Sequence, residues 1–262
     1  MISLWSATAQ KEKFPELEED IVTDVVIVGG GLAGLMCLKE LTDRGVDCVL
    51  LEAKSLGSGI TKNTTAKITF QHGLIYDKLI KTVGTEKARQ YLTANKKALE
   101  KIRRLSEKFP CDLEEKDAYI YSSDDREKIE KEVRAYERLG VSAEFCNHIP
   151  LPVQCAGAVK VSAQAQFHPL KFLMHLAKEL QIYENTKVLS VNSHTVVTDK
   201  GTIYAENIIF ACHYPITNLP GFYFLRQHQE KSYVMALQCE KALEGMYYGI
   251  DKNSLSFRSA EG

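Results

Sequence analysis

Residues 25–34 read VVIVGGGLAG, an aliphatic strand that runs directly into a glycine-rich turn. Gly29-x-Gly31-x-x-Gly34 has the spacing of a dinucleotide-binding turn. The first glycine makes the tight turn, the second lets a diphosphate approach the backbone, and the third lets the following helix pack against the strand. A helix is expected from about Leu32 to Arg44, with Leu35, Leu38 and Leu41 at helical spacing and Gly45 as its C-cap. The free N–H groups of its first turn, at Leu32, Ala33 and Gly34, and the positive end of its dipole suit an anion.

A second strand signal at Asp47–Leu51 completes a strand–helix–strand unit, the core of a parallel sheet. Glu52 follows in VLLEAK, about 20 residues beyond the turn, where a carboxylate can accept from adenosine ribose hydroxyls. Ala53 and Lys54 continue the same candidate set. An acid at this position also disfavours NADP, whose 2′-phosphate it would repel. The unit therefore reads as a binder of an ADP moiety.

The 262 residues suffice for two moderate domains, or one large α/β domain with an inserted partner. A net charge of −1 gives no basic footprint for nucleic acid, and no apolar run approaches the ~20 residues of a spanning helix. The start, MISLWSATAQKEKF, lacks the pattern of a secretory signal. Seven dispersed cysteines (37, 48, 111, 146, 155, 212 and 239) show no C-x-x-C and no metal-ligand spacing. They read as reduced packing thiols of a cytoplasmic protein, with no metal site.

Residues 1–22 read as a polar arm with Trp5 and an acidic ELEED. Helices are expected at Tyr76–Val83, Thr85–Lys108 and about Asp125–Leu139, with solvated faces paired at Glu100–Arg104 and Glu130–Arg134. Extended pieces span Pro150 to Gln166. A helix starts at Pro169, with His168 read as a helix start rather than a ligand. Short strands follow, with a turn at Asp199–Gly201 and a closing aliphatic strand at Ile208–Ala211. The tail reads as strands at KSYVMALQC, GMYYGI and SLSF.

The fingerprint, its N-terminal position and the hydroxyl-rich loop after Glu52 (Ser55, Ser58, Thr61, Asn63, Thr64, Thr65) together resemble the glycine/D-amino-acid oxidase superfamily of FAD-dependent oxidoreductases. NTTAKITFQHGLIYDKLI is similar to the segment beside the flavin in a bacterial branch whose members often carry a C-terminal Rieske iron–sulfur domain. AQFHPLKFLMHLAKEL, YAENIIFACHYP and the arm SLWSAT…FPELEED also resemble that branch. Members close the flavin site with a late aliphatic strand and a glycine turn. None follows SLSFRSAEG, and the paired Rieske ligands are absent, so the expectation is a piece of a longer protein.

The resemblance implies an α/β fold. A Rossmann-like FAD domain would comprise residues 23–80 and 165–218, and a mixed α+β substrate domain residues 81–164 and 219–262. It implies Thr64, Thr65, Ala66 and Lys67 along the cofactor, with Gln71, His72 and Gly73 near the flavin ring. Val188 would meet the adenine, and Ala211 lies on the strand returning to the cofactor. His72 is a candidate acid/base or orienting group. Arg226, with His228 nearby, is a candidate partner for a substrate carboxylate, against the alternative of solvated charges.

The implied activity is hydride transfer from an amine- or hydroxyl-bearing carbon to flavin N5. The implied substrate is a small amine or amino acid, and the acceptor a Rieske centre or another carrier. Two other readings stay open: a non-catalytic dinucleotide-binding module, and an NAD-dependent dehydrogenase.

Overall fold

The architecture is that of a computed structural model, which describes residues 2–214, 216–217 and 221–260. It is mixed α/β and forms two compact units, Met1–Thr64 with His168–Ala236, and Thr65–Phe167 with Leu237–Gly262.

The first unit opens with a short helix α1 (Leu4–Thr8), then β1 (Ile21–Val28), α2 (Leu32–Thr42) and β2 (Cys48–Leu51). Later in the chain the second unit supplies β3 (Lys67–Ile68), α3 (Tyr76–Val83), α4 (Thr85–Lys108), β4 (Glu114–Ser122), α5 (Arg126–Arg138), β5 (Glu144–Cys146) and β6 (Gly157–Gln166). The chain then returns to the first unit with α6 (Pro169–Ala177), β7 (Ile182–Tyr183), β8 (Val188–Asn192), β9 (Thr195–Thr198) and β10 (Thr202–Phe210). Two last strands, β11 (Gly245–Gly249) and β12 (Ser256–Phe257), belong to the second unit.

In the first unit the sheet order is β7-β2-β1-β10-β9-β8. The strands β7, β2, β1 and β10 are parallel, and β9 and β8 continue antiparallel. All four residues Val25–Val28 are buried, as a strand covered on both faces requires. Val26, Val49 and Leu51 pack on one face with Leu17, Val196 and Ile203. The alternate residues Ile27 and Leu50 are fully buried too, and α2 packs against β1, β2 and α6.

The arm is not merely polar. Leu17 is in the core, its N–H donates to Thr186 Oγ1 (3.1 Å), and β1 starts at Ile21, earlier than the apolar run suggests.

In the second unit the sheet order is β12-β11-β4-β6-β3, with β5 also on β6. The helices α3, α4 and α5 pack together, and α5 lies on β6. Residues 65–80, expected with the dinucleotide-binding part, cluster here, because β3 pairs antiparallel with the end of β6.

The expected strand at Lys231–Cys239 is a correction. That stretch carries no regular element and is exposed throughout, and no strand among the described residues pairs with it to complete a ladder. Conversely, β4 was not anticipated. The cysteines are all free, but only Cys48 and Cys111 are buried and Cys239 is exposed, so the packing-thiol reading holds for a minority. No helix of the described residues is long and apolar enough to cross a membrane.

Candidate functional site

The turn after β1 is built as its spacing predicts. Gly29 has φ +118°, and a Cβ there would lie 2.8 Å from the Ala211 carbonyl carbon and oxygen. That is a left-handed backbone pressed against a neighbouring strand end, which suits glycine alone. A Cβ at Gly34 would collide with the carbonyl oxygen of Gly29, so the start of α2 meets the strand too closely for any side chain. Ala211, whose N–H donates to Val28 O (2.8 Å), closes this side of the turn.

Gly31 differs. It is the N-cap of α2, and among the described residues beyond its chain neighbours the only atom within 4 Å of an added Cβ would be Thr61 Oγ1, at 3.5 Å. The space above the first N–H groups of α2 is therefore open. Those groups, at Leu32, Ala33 and Gly34, have no acceptor within their own helix. Leu32 N donates to Thr61 Oγ1 at 3.3 Å.

Glu52 stands beside the turn, half-buried. Its carboxylate accepts from Gly30 N (2.8 Å) and Lys54 N (2.9 Å), so it braces the glycine turn as well as facing outward. Each carboxylate oxygen has capacity for another donor. Ala53 and Lys54 are exposed. Glu184, almost fully buried, ties the loop after Glu52 by accepting from Leu56 N (2.6 Å) and from Phe14 N of the arm (3.3 Å). Val188 is half-buried at the start of β8 and packs against the core beneath the sheet. Thr64 ends the 3-10 turn Ile60–Asn63. These residues all belong to the first unit. An open face at Gly31, amide donors beneath it and an acidic acceptor alongside fit the adenosine diphosphate half of FAD.

The remaining expected residues lie elsewhere. Thr65, Ala66, Lys67 and His72 are in the second unit. The carbonyls of Thr65 and Ala66 each accept from Arg258 Nη1 (2.9 Å), which helps hold Ala66 at φ +54°. Lys67 Nζ donates to Tyr247 O (2.7 Å) and Ser256 Oγ (2.5 Å), and burial, with Arg258 nearby, pulls its ammonium down to about 8. Lys67, Gln71, His72, Gly73, Tyr119 and Tyr247 are among the residues lining a cavity of about 280 Å³ over an apolar floor of Ala118, Ile120 and Met246. His72 is exposed and shares a hydrogen bond with Tyr91 OH (2.8 Å).

Arg226 is exposed and clusters with the first unit rather than with the expected substrate part. His228 Nε2 lies 3.3 Å from the carboxylate of Glu230, and both side chains are exposed. His168 caps α6 by accepting from Lys171 N, as a helix start should. No group of metal-ligating side chains occurs among the described residues. Sequence reasoning missed Arg258 and gave Thr61 no individual role. Neither sits in a periodic or spaced pattern, because the contacts of both are long-range in sequence. Pro215, which ends the stretch YAENIIFACHYP, lies outside the described residues, as do the last two residues of the tail.

A parallel sheet with a glycine turn and a trailing glutamate defines a dinucleotide-binding protein. The family of FAD dependent oxidoreductases matches residues 24–257, and the chain belongs to it. Among curated proteins it is 35% identical over 268 residues to the putative Rieske 2Fe-2S iron–sulfur protein YhfW of Bacillus subtilis, covering 97% of this chain and 53% of that one. It is 25% identical over 227 residues to gamma-glutamylputrescine oxidoreductase of Escherichia coli, covering 80% and 53%. The chain thus spans about half the length of these relatives. Among solved structures, glycine oxidase from Geobacillus kaustophilus superposes with a TM-score of 0.62 at 20% identity, over 90% of this chain and 67% of that one. L-Proline dehydrogenase from P. horikoshii gives 0.61 at 19%, over 77% and 54%. These two establish the likeness of fold.

Proposed function

We propose that this chain is the FAD-holding part of an oxidoreductase acting on a small amine or amino acid. Gly29, Gly31, Leu32, Ala33 and Gly34 hold the diphosphate. Glu52, flanked by Ala53 and Lys54, takes the adenosine ribose hydroxyls. Val188 borders the adenine, and Ala211 and Thr64 border the rest of the cofactor. For Thr65, Ala66 and Lys67 a cofactor role rests on the resemblance alone. The observation that carries the reading is the open face of Gly31 over the first amides of α2, with Glu52 braced beside it.

When bound, FAD supplies a hydride acceptor, N5, for a carbon that bears an amine or hydroxyl. The cavity of the second unit offers a substrate an apolar floor, the aromatic faces of Tyr119 and Tyr247, and Lys67 as a cation for a carboxylate. That assignment prefers Lys67 to Arg226, which is exposed. His72, on the cavity's rim, is the candidate orienting or acid/base group. The names of gamma-glutamylputrescine oxidoreductase and glycine oxidase support an amine or amino-acid substrate. The name of the B. subtilis relative supports an iron–sulfur acceptor. Seven unpaired cysteines support a reducing, cytoplasmic compartment.

The test is a titration of the purified chain with FAD, NAD and ADP-ribose, followed by anaerobic reduction with a panel of amines and amino acids. Yellow protein that releases FAD on denaturation and bleaches with one of these substrates supports the reading. Binding of NAD or ADP-ribose without FAD would replace it with the NAD-dependent alternative. Bound FAD that no substrate or dithionite reduces would favour a non-catalytic module.

A further inference from the structure

Helix α4 carries eight basic and three acidic side chains, a net +5 in a chain whose total is −1. Positive charge is thus concentrated on one element, and the rest of the chain is acidic. Its placement along the helix is regular. Lys97, Lys101, Arg104 and Lys108 follow one another at intervals of four, three and four residues. Such spacing keeps them within about 60° of one another round the helix, in a row roughly 16 Å long. Ala88, Leu92 and Leu99 are the buried residues of α4, and they lie on the opposite side. Lys97, Arg104 and Lys108 are exposed, and Lys101 is half-buried.

The helix does not neutralise this row itself. Sequence spacing predicts that Glu100 pairs with Arg104, but the structure pairs Glu100 with Arg103 at 2.8 Å, and Arg103 also reaches Glu115 at 3.2 Å. Glu86, at the far end of the helix, pairs with Arg89 at 3.1 Å. Glu100 and Glu107 stand roughly 60–90° round the helix from the row. Among the described residues Lys97, Arg104 and Lys108 enter no ion pair.

The chemistry of the row narrows what can cover it. A permanent dimer seals an apolar interface core, and a membrane-surface helix inserts an apolar face. Helix α4 has already given its apolar face to its own unit. Charge without an apolar centre suits fast, salt-sensitive and short-lived encounters instead. The acidic remainder of the chain repels an acidic partner elsewhere and so orients it onto α4.

We propose that the row Lys97, Lys101, Arg104 and Lys108 is the docking surface for an acidic electron-carrier protein, which meets it with a row of carboxylates. An electron carrier is the kind of protein that visits an oxidoreductase briefly, so the inference rests on the FAD reading above. The helix belongs to the unit that holds the substrate cavity, and its Tyr91 meets His72 on the cavity's rim. A carrier on α4 therefore sits on an element that also borders the cavity.

The experiment measures binding of the FAD-loaded chain to an immobilised plant-type ferredoxin, an acidic carrier, in about 0.1 M salt, where the Debye length is about 10 Å. Lys97→Glu/Arg104→Glu/Lys108→Glu should weaken binding at least about tenfold, and raising the salt should weaken the wild type far more than this variant. Lys11→Glu/Lys231→Glu/Lys241→Glu makes the same change in net charge at exposed positions elsewhere, and should weaken binding less than about threefold. Circular-dichroism melts and FAD titrations establish that each variant is folded and keeps the cofactor. If the α4 variant does not fold, Lys97→Gln/Arg104→Gln/Lys108→Gln decides, with an expected loss of at least about threefold.

No ferredoxin binding by the wild type, unchanged affinity in the α4 variant, or equal losses in the two charge-reversed variants would overturn the proposal. So would tighter binding, dependent on the same row, to phosphatidylserine vesicles or to a DNA duplex. A salt-sensitive dimer that the α4 variant dissolves would assign the row to a second copy of the chain and overturn it too. A wild type that binds no FAD is a separate outcome: it overturns the FAD reading and, with it, the choice of an electron carrier.

Discussion

At Gly34 a side-chain carbon would run into the Gly29 carbonyl oxygen, whereas at Gly31 it would find only Thr61 Oγ1, at 3.5 Å. One motif thus contains two different constraints. Gly34→Ala forces helix and strand apart and should lower the melting temperature by several degrees, or abolish folding, with or without ligand. Gly31→Ala should melt like the wild type yet lose FAD affinity by at least about tenfold, because the methyl fills the space a diphosphate needs. Melting curves paired with FAD titrations separate the two, and equal behaviour of the variants would contradict the division. Glu52 combines both roles. Replacing it by Ala removes the acceptor of Gly30 and Lys54 amides and should weaken adenosine binding by about 1–3 kcal/mol. Unchanged affinity in that titration would remove Glu52 from the site.

Among the elements, α3 is held at its N-terminus by a residue from another helix. Glu132 of α5 is fully buried and accepts from Tyr76 N (2.9 Å) and Asp77 N (3.0 Å), while Tyr76 and Tyr136 pack at 4.8 Å beside it. Glu132→Ala leaves those amides without an acceptor and should cost about 2–4 kcal/mol in urea unfolding. Burial raises the Glu132 carboxyl above its ordinary range, against the downward pull of the α3 amides. A raised acid gives stability that is full below the unfolded value of 4.5 and is lost as pH rises through the folded value. Relative to Glu132→Gln, the wild type should therefore lose ground as pH rises above 4.5, as paired urea melts would read.

The helices of this unit were legible because their patterns are local. Tyr76–Val83 and Thr85–Lys108 have the anticipated bounds. Strand β4 was not legible, since its charged start, Glu114–Asp117, reads as a loop and its partners β6 and β11 lie far along the chain. The glycine turn and Glu52 could be read for the same local reason. Thr61 could not, because its bond crosses 29 residues.

For the molecule as a whole, the apolar surface is unevenly placed. Each unit buries the centre of its sheet, yet Leu225, Tyr233, Met235 and Leu237 are 74%, 93%, 78% and 74% exposed along one stretch that carries no strand or α-helix. The alternation of Tyr233, Met235 and Leu237 is what suggested a strand there. Backbone that makes no ladder and side chains this exposed leave the stretch open both to proteases and to self-association. Trypsin should cut first after Arg226 or Lys231, both exposed, before any lysine within α4, and the masses of the earliest fragments would read this directly. Replacing Tyr233, Met235 and Leu237 by Ser should reduce light scattering at high protein concentration. It should shift the melting temperature by no more than about 2 °C, because these side chains contribute no buried area to either core. A large loss of melting temperature in that variant would mean that the stretch is packed in solution, and earliest cuts inside α4 would point the same way.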